Sequence, residues 1–118
     1  MHQDPDLETG FRRLAKLAQD RPLAEVEKST SYGTPALKVA GATFVRMLDE
    51  TTAVLQCPVD QKALLMEISP GIYFETDHYV GHDAMLINLE KISDEELSLR
   101  LHDAWEYKAP GRLLKLVD

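Results

Sequence analysis

Leu7, Phe11, Leu14 and Ala18 recur at helical spacing near the start of the chain. Residues three and four apart share one helix face, so these four predict a buried stripe. Asp4 suits the cap, Pro5 the first helical position, and Asp6 and Glu8 the positive first turn. Asp20-Arg21-Pro22 ends the pattern, because a residue before proline leaves the helical region. A helix is expected over residues 4–20. Arg12, Arg13 and Lys16 lie off the stripe. They read as a solvated face, with a binding patch as the alternative.

The pattern then shortens to strand length. Glu25 to Thr30 alternates charged and neutral residues, as an edge strand does. Ser31-Tyr32-Gly33-Thr34-Pro35 is turn chemistry. Ala36 to Val39 and Ala42 to Leu48 predict a hairpin across Ala40-Gly41, and Ala53 to Gln56 a further strand. Connections this short imply antiparallel pairing, since a parallel pair needs a long crossover. Pro58 to Ile68 reads as a second helix, 59–68, with Leu64, Leu65 and Ile68 as its apolar side. Ile72 to Phe74 and Ala84 to Leu89 are strands around a loop at 75–83. Ser93 and Glu96 have the spacing of a capping box, and Leu97, Leu101, Ala104 and Trp105 line the helix that follows, 93–107. Pro110-Gly111 breaks it, and Arg112 to Val117 suits a last helical turn. The expected fold is one α+β domain over residues 1–118. A central antiparallel sheet of five or six strands carries helices at the N-terminus, middle and C-terminus.

Composition narrows the class. A chain of 118 residues suits a single core of two packed layers, and 44% hydrophobic with 28% charged residues is ordinary for a globular protein. No apolar run approaches the roughly 20 residues of a membrane span, so no membrane partner is expected. The N-terminal residues lack signal-peptide character, and the single cysteine, Cys57, fits a reducing compartment. A cytoplasmic location is expected. Thirteen basic against 20 acidic residues leave a net charge of −7. That charge repels a polyanion at long range unless the cations cluster. Residues 57–92 hold six acids and two bases, so a basic face must come from elsewhere.

Candidate chemistry concentrates in Tyr73-Phe74-Glu75-Thr76-Asp77-His78-Tyr79-Val80-Gly81-His82. A loop has no packing reason to carry two histidines and three aromatics beside acids, so the segment suggests a site. His78 and His82 are four apart, with Asp77 or Asp83 as a third group. Gly81 argues against the helix that would converge them on a metal, and no metal or cofactor is expected. Cys57 reads as a buried or capping thiol rather than a nucleophile. There is no phosphate loop, paired-cysteine or hydrolase motif, and no catalytic set is expected. Trp105 reads as core, and Tyr32 as an aromatic packed over the sheet edge or exposed.

Three segments order the chain further: Ser31-Tyr32-Gly33-Thr34-Pro35-Ala36-Leu37-Lys38-Val39, Phe74-Glu75-Thr76-Asp77-His78-Tyr79-Val80-Gly81 and Ala84-Met85-Leu86-Ile87-Asn88-Leu89. With Ser93-Asp94-Glu95-Glu96-Leu97, Ala104-Trp105, Ala109-Pro110 and Leu113, their order resembles the MmcQ/YjbR family over nearly the whole chain. The resemblance implies a fold like that of secretion chaperones and frataxin-like domains. It also implies DNA binding by a "double wing", a label that rests on fold. Tyr32, Gly33, Pro35, Lys38, His78, Tyr79, Gly81 and Trp105 match the shared motif. A DNA face would need Lys28, Lys38, Arg46, Arg112 and Lys115 to share one side with the first helix. The candidate binding residues are therefore Tyr32, Lys38, Arg46, His78, Tyr79, Arg112 and Lys115. The leading expectation is a non-enzymatic DNA-binding domain. The alternatives are a chaperone-like protein-binding module, which tolerates an acidic surface, and a small-ligand enzyme with its pocket around His78.

Overall fold

A computed structural model describes residues 5–114 of the chain, with side chains from residue 7 onward. Helix α1 (Pro5–Asp20) leads into β1 (Val26–Ser31), β2 (Thr34–Val39), β3 (Ala42–Asp49) and β4 (Thr52–Gln56). Helix α2 (Val59–Ile68), β5 (Tyr73–Phe74), a 3-10 turn (Asp77–Tyr79) and β6 (Ala84–Asn88) follow. Helices α3 (Asp94–Lys108) and α4 (Gly111–Leu114) close the order. The fold is α+β. All six strands pair antiparallel in the order β1-β2-β3-β4-β6-β5, so β6 inserts between β4 and β5. Among the described residues no helix is long and apolar enough to cross a membrane. The proposed caps and tail at Asp4 and residues 115–117 lie outside the described residues.

Two hairpins owe their shape to backbone at positive φ. Tyr32 (51°) and Gly33 (80°) join β1 to β2, and Ala40 (49°) and Gly41 (84°) join β2 to β3. Two such residues in succession are the turn pattern whose twist matches the flanking strands. Strand β3 then bulges. Leu37 pairs with Val45, but Lys38 pairs with Thr43, which leaves Phe44 as an extra residue. Phe44 and Val45 both enter the core. The extra residue puts Thr43 and Arg46 on one face, although residues three apart on a regular strand face opposite ways.

One sheet face carries the main core. Leu37, Val45, Leu55 and Met85 stand opposite one another across β2, β3, β4 and β6. They pack in one cluster with Phe11 and Leu14 of α1 and Leu97 and Leu101 of α3. Trp105 is fully buried, and its indole N–H donates to Ala24 O at 2.9 Å, which satisfies the polar edge. Ser93 Oγ accepts the Glu96 N–H at 3.1 Å, as the capping spacing predicts. The Glu96 carboxylate also accepts the buried Tyr73 hydroxyl. Burial first, and that hydrogen bond second, hold the Tyr73 phenol well above its ordinary pKa.

Two expectations need correction. Arg13 is not a solvated cation: its guanidinium donates to Asp94 Oδ1 and Leu89 O, both at 2.6 Å, and to Ile92 O at 2.7 Å. It ties α1 to the start of α3. In α2, Leu64 (55% exposed) and Ile68 (66% exposed) face solvent, while Lys62 and Leu65 point inward. Hydrophobicity misplaced that face because the buried side is set by a lysine.

Candidate functional site

The face opposite α1 and α3 carries the candidate chemistry. Ala36, Arg46, Val54, Leu86 and Phe74 form a row across five strands. Val54, Ala84 and Leu86 make a small second apolar cluster, roofed by Phe74 and Tyr79. Arg46 therefore lies beside an apolar floor, on the face to which the β3 bulge directs it.

Arg46 is held from three sides. Its Nη2 donates to Tyr79 Oη at 2.8 Å, and its Nη1 to Thr34 Oγ1 and Met47 O, both at 3.3 Å. Its guanidinium carbon sits 5.1 Å from the Tyr32 ring centroid, within cation–π range. A guanidinium has five N–H donors, and these contacts use three. Among the described residues no carboxylate pairs with it. Tyr32 itself is 90% exposed, so its outer ring face is open to a ligand.

The 75–82 loop is fixed from beneath by Lys62, which is 2% exposed. Lys62 Nζ donates to Tyr79 O at 2.7 Å and His82 O at 3.1 Å, and lies 2.8 Å from Glu75 Oε1. An ammonium has three donors, so all are used. Gly81, at φ 82°, lets the chain turn back toward β6. The exposed His78 and His82 rings stack at 6.0 Å, nearly parallel at 11°. Tyr79 meets His78 edge-on at 4.8 Å. Among the described residues no group of three or more His, Cys, Asp or Glu is placed to hold a metal ion.

Together the Tyr32 hairpin and this loop bound an open cleft of about 660 Å³. Val54 and Ala84 form its floor, and Gln56, Thr34 and the two histidines supply polar lining. Asp83 also lines it, and its Oδ2 accepts the Tyr107 hydroxyl at 2.7 Å. That bond to a carboxylate raises the Tyr107 pKa. Cys57 lies in the main core, where burial pushes its thiol up to about 11, so the thiolate a nucleophile needs is disfavoured.

Of the residues singled out from the sequence, Tyr32, Arg46, His78 and Tyr79 converge on this cleft. Tyr79 also fastens the loop, whereas His78 is exposed. Lys38 shares the sheet face, opposite Thr43 and Glu27, but does not line the cleft. Arg112 is elsewhere, paired to both Glu25 oxygens at 2.7 and 3.0 Å. That pairing lowers the Glu25 pKa and raises that of Arg112. Lys28 stands opposite Leu37 and lines a hollow with Ala15 and Ala18 of α1. Arg46 and Lys28 thus occupy opposite sides of the sheet, and Lys115 lies outside the described residues. Gln56 and Lys62 were missed. The signal for Lys62 was its position three residues before Leu65, on the same helix face.

No family model matches the chain. It is 31% identical over 103 residues to the uncharacterized protein Mb2600 of Mycobacterium bovis, an alignment that covers 84% of this chain and 70% of that one. The uncharacterized proteins MT2646 and Rv2570 of Mycobacterium tuberculosis match with the same identity and coverage. At that identity and coverage, the chain belongs to the same family as these mycobacterial proteins.

Proposed function

We propose that the chain is a non-enzymatic binding domain of the MmcQ/YjbR type, and that its ligand is a DNA strand held in the cleft. The observation that carries this reading is Arg46, a cation without an acid partner among the described residues, beside the exposed Tyr32 ring. A positive group next to an open aromatic face suits a phosphate and an unpaired base. A duplex is the poorer fit. Arg13, Lys62 and Arg112 are engaged with acids, and Lys28 is on the other side of the sheet. Few phosphate contacts imply a shallow salt dependence, with a slope near −0.7 for each single-strand phosphate contacted. Fluorescence anisotropy with labelled single- and double-stranded oligonucleotides at low salt tests the reading. Single-strand binding that weakens in Arg46→Ala but not in Arg112→Ala supports it. No binding to either form removes it.

A second reading is a protein-binding module. The exposed Leu64 and Ile68 lie four apart on α2, as an anchor pair for an apolar partner would. Loss of partner capture in Leu64→Ser with Ile68→Ser, but not in Arg46→Ala, would favour it over DNA.

A further inference from the structure

We infer that the cleft is a one-nucleotide site, which takes a single planar heteroaromatic ring carrying one phosphate group and does not require a longer strand. The inference rests on the reading of the cleft as the binding surface, and adds the size and charge of the ligand.

Charge sets the count of anionic groups. Among the residues lining the cleft, Arg46 is the one permanent cation and Asp83 the one acid. Arg46 keeps two N–H donors free of protein acceptors among the described residues. Two donors on a planar fork match two oxygens of one phosphate. A second phosphate would find no further permanent cation in the cleft, and it would meet Asp83 and the net charge of −7. Lys38, on the same face, lies outside the lining.

Shape sets the ring. Tyr32 is the first residue of a two-residue turn and is 90% exposed, so its outer face is available for stacking. The floor beside Arg46 is apolar at Val54 and Ala84, while Thr34 and Gln56 offer groups that can donate to or accept from a heterocycle edge. A volume of about 660 Å³ suits a small ligand. The wall carrying His78 and Tyr79 is fixed by Lys62, so that side of the site is formed before the ligand arrives.

The experiment is an amide-resolved NMR titration of the full chain with adenosine 5′-monophosphate, adenosine, inorganic phosphate and a short oligo-dT. The monophosphate is expected to saturate shifts at Tyr32, Gly33, Arg46 and Tyr79, with adenosine and phosphate each weaker by roughly tenfold or more. Tyr32→Ala, at an exposed position, is expected to fold normally and weaken the monophosphate by roughly tenfold. Arg46→Gln is expected to weaken it at least as much. Monophosphate binding no tighter than phosphate, or shifts away from the cleft, overturns the inference. Oligonucleotide binding without monophosphate binding overturns it while leaving the DNA reading in place. Monophosphate binding without oligonucleotide binding supports it and removes the DNA reading. No binding by either removes both.

Discussion

Lys62 Nζ lies 2.8 Å from Glu75 Oε1, with the lysine almost entirely withdrawn from water. A charge buried this far is costly unless paired and fully hydrogen-bonded. Here the carbonyls of Tyr79 and His82 complete the shell. The same three contacts carry the loop that presents His78 to the cleft. A helix interior and a candidate site thus depend on one side chain.

Lys62→Met keeps the aliphatic stem and removes the charge. It leaves Glu75 without its cation and two loop carbonyls without a donor. We expect a loss of about 2–4 kcal/mol, at the lower end because Glu75 retains some contact with water. Urea denaturation measures the loss, and amide exchange should show faster opening over residues 76–82. An unchanged midpoint together with unchanged exchange in that loop would remove the clamp.

Arg13 makes a comparable link between α1 and the segment leading into α3. Arg13→Ala leaves the Leu89 and Ile92 carbonyls without its donation and is expected to cost about 1–3 kcal/mol. Arg13→Lys should recover only part, since an ammonium cannot reproduce a planar fork over three acceptors. Thermal melting of the two variants checks this, and equal stability of Arg13→Ala and the parent chain would contradict it.

These two cations show where sequence pattern reaches its limit. The three long helices, the turns at Gly33 and Gly41 and the antiparallel pairing follow from local spacing and turn chemistry. The stripe at Phe11, Leu14 and Ala18 is buried as its period implies. Periodicity also places Tyr73 and Phe74 on opposite sides of the sheet. Lys62 and Arg13 depend on acceptors distant in the chain, which no local pattern reveals. The grouping of Arg46 with Tyr79 depends on the extra residue at Phe44 and on the strand order β4-β6-β5. Tyr32, Arg46, His78 and Tyr79 were legible as candidates, and a family-like topology would place His78 and Tyr79 near the Tyr32-Gly33 turn, with whose Tyr32 they share the cleft. The meeting of Arg46 with them was not legible, because it is a property of sheet register.

Cys57 provides a pH test. Burial raises its thiol from the ordinary 9.0 to about 11 in the folded chain. Between those values the unfolded chain has released the proton and the folded chain still holds it. Stability from this group is therefore complete below about pH 9 and is lost as pH rises toward about 11. The shift corresponds to roughly 2–3 kcal/mol. Cys57→Ala should lose less stability than the parent chain between about pH 8 and about pH 10.5, whatever its constant packing cost. Parallel declines in the two proteins would rule the thiol out as a source.

Tyr32 sets stability against binding. It occupies positive φ at 51°, a region that costs a residue with a Cβ about 1 kcal/mol and costs glycine little. Its ring gains little in return from packing, since it is 90% exposed and its charged contact is the Arg46 guanidinium. Tyr32→Gly relieves the backbone but gives up that contact and adds freedom to the unfolded chain, which offsets part of the gain. We expect a stability change within about 0.5 kcal/mol of zero, together with loss of the stacking surface. Tyr32→Asn, which tolerates positive φ without glycine's entropy, should be the more stable of the two. Melting temperatures and monophosphate titrations on the same samples separate the effects. A clear loss of stability in Tyr32→Asn would show that the ring holds the hairpin in place. Near-neutral stability with weakened binding would show that an exposed aromatic is retained there for what it contacts outside the chain.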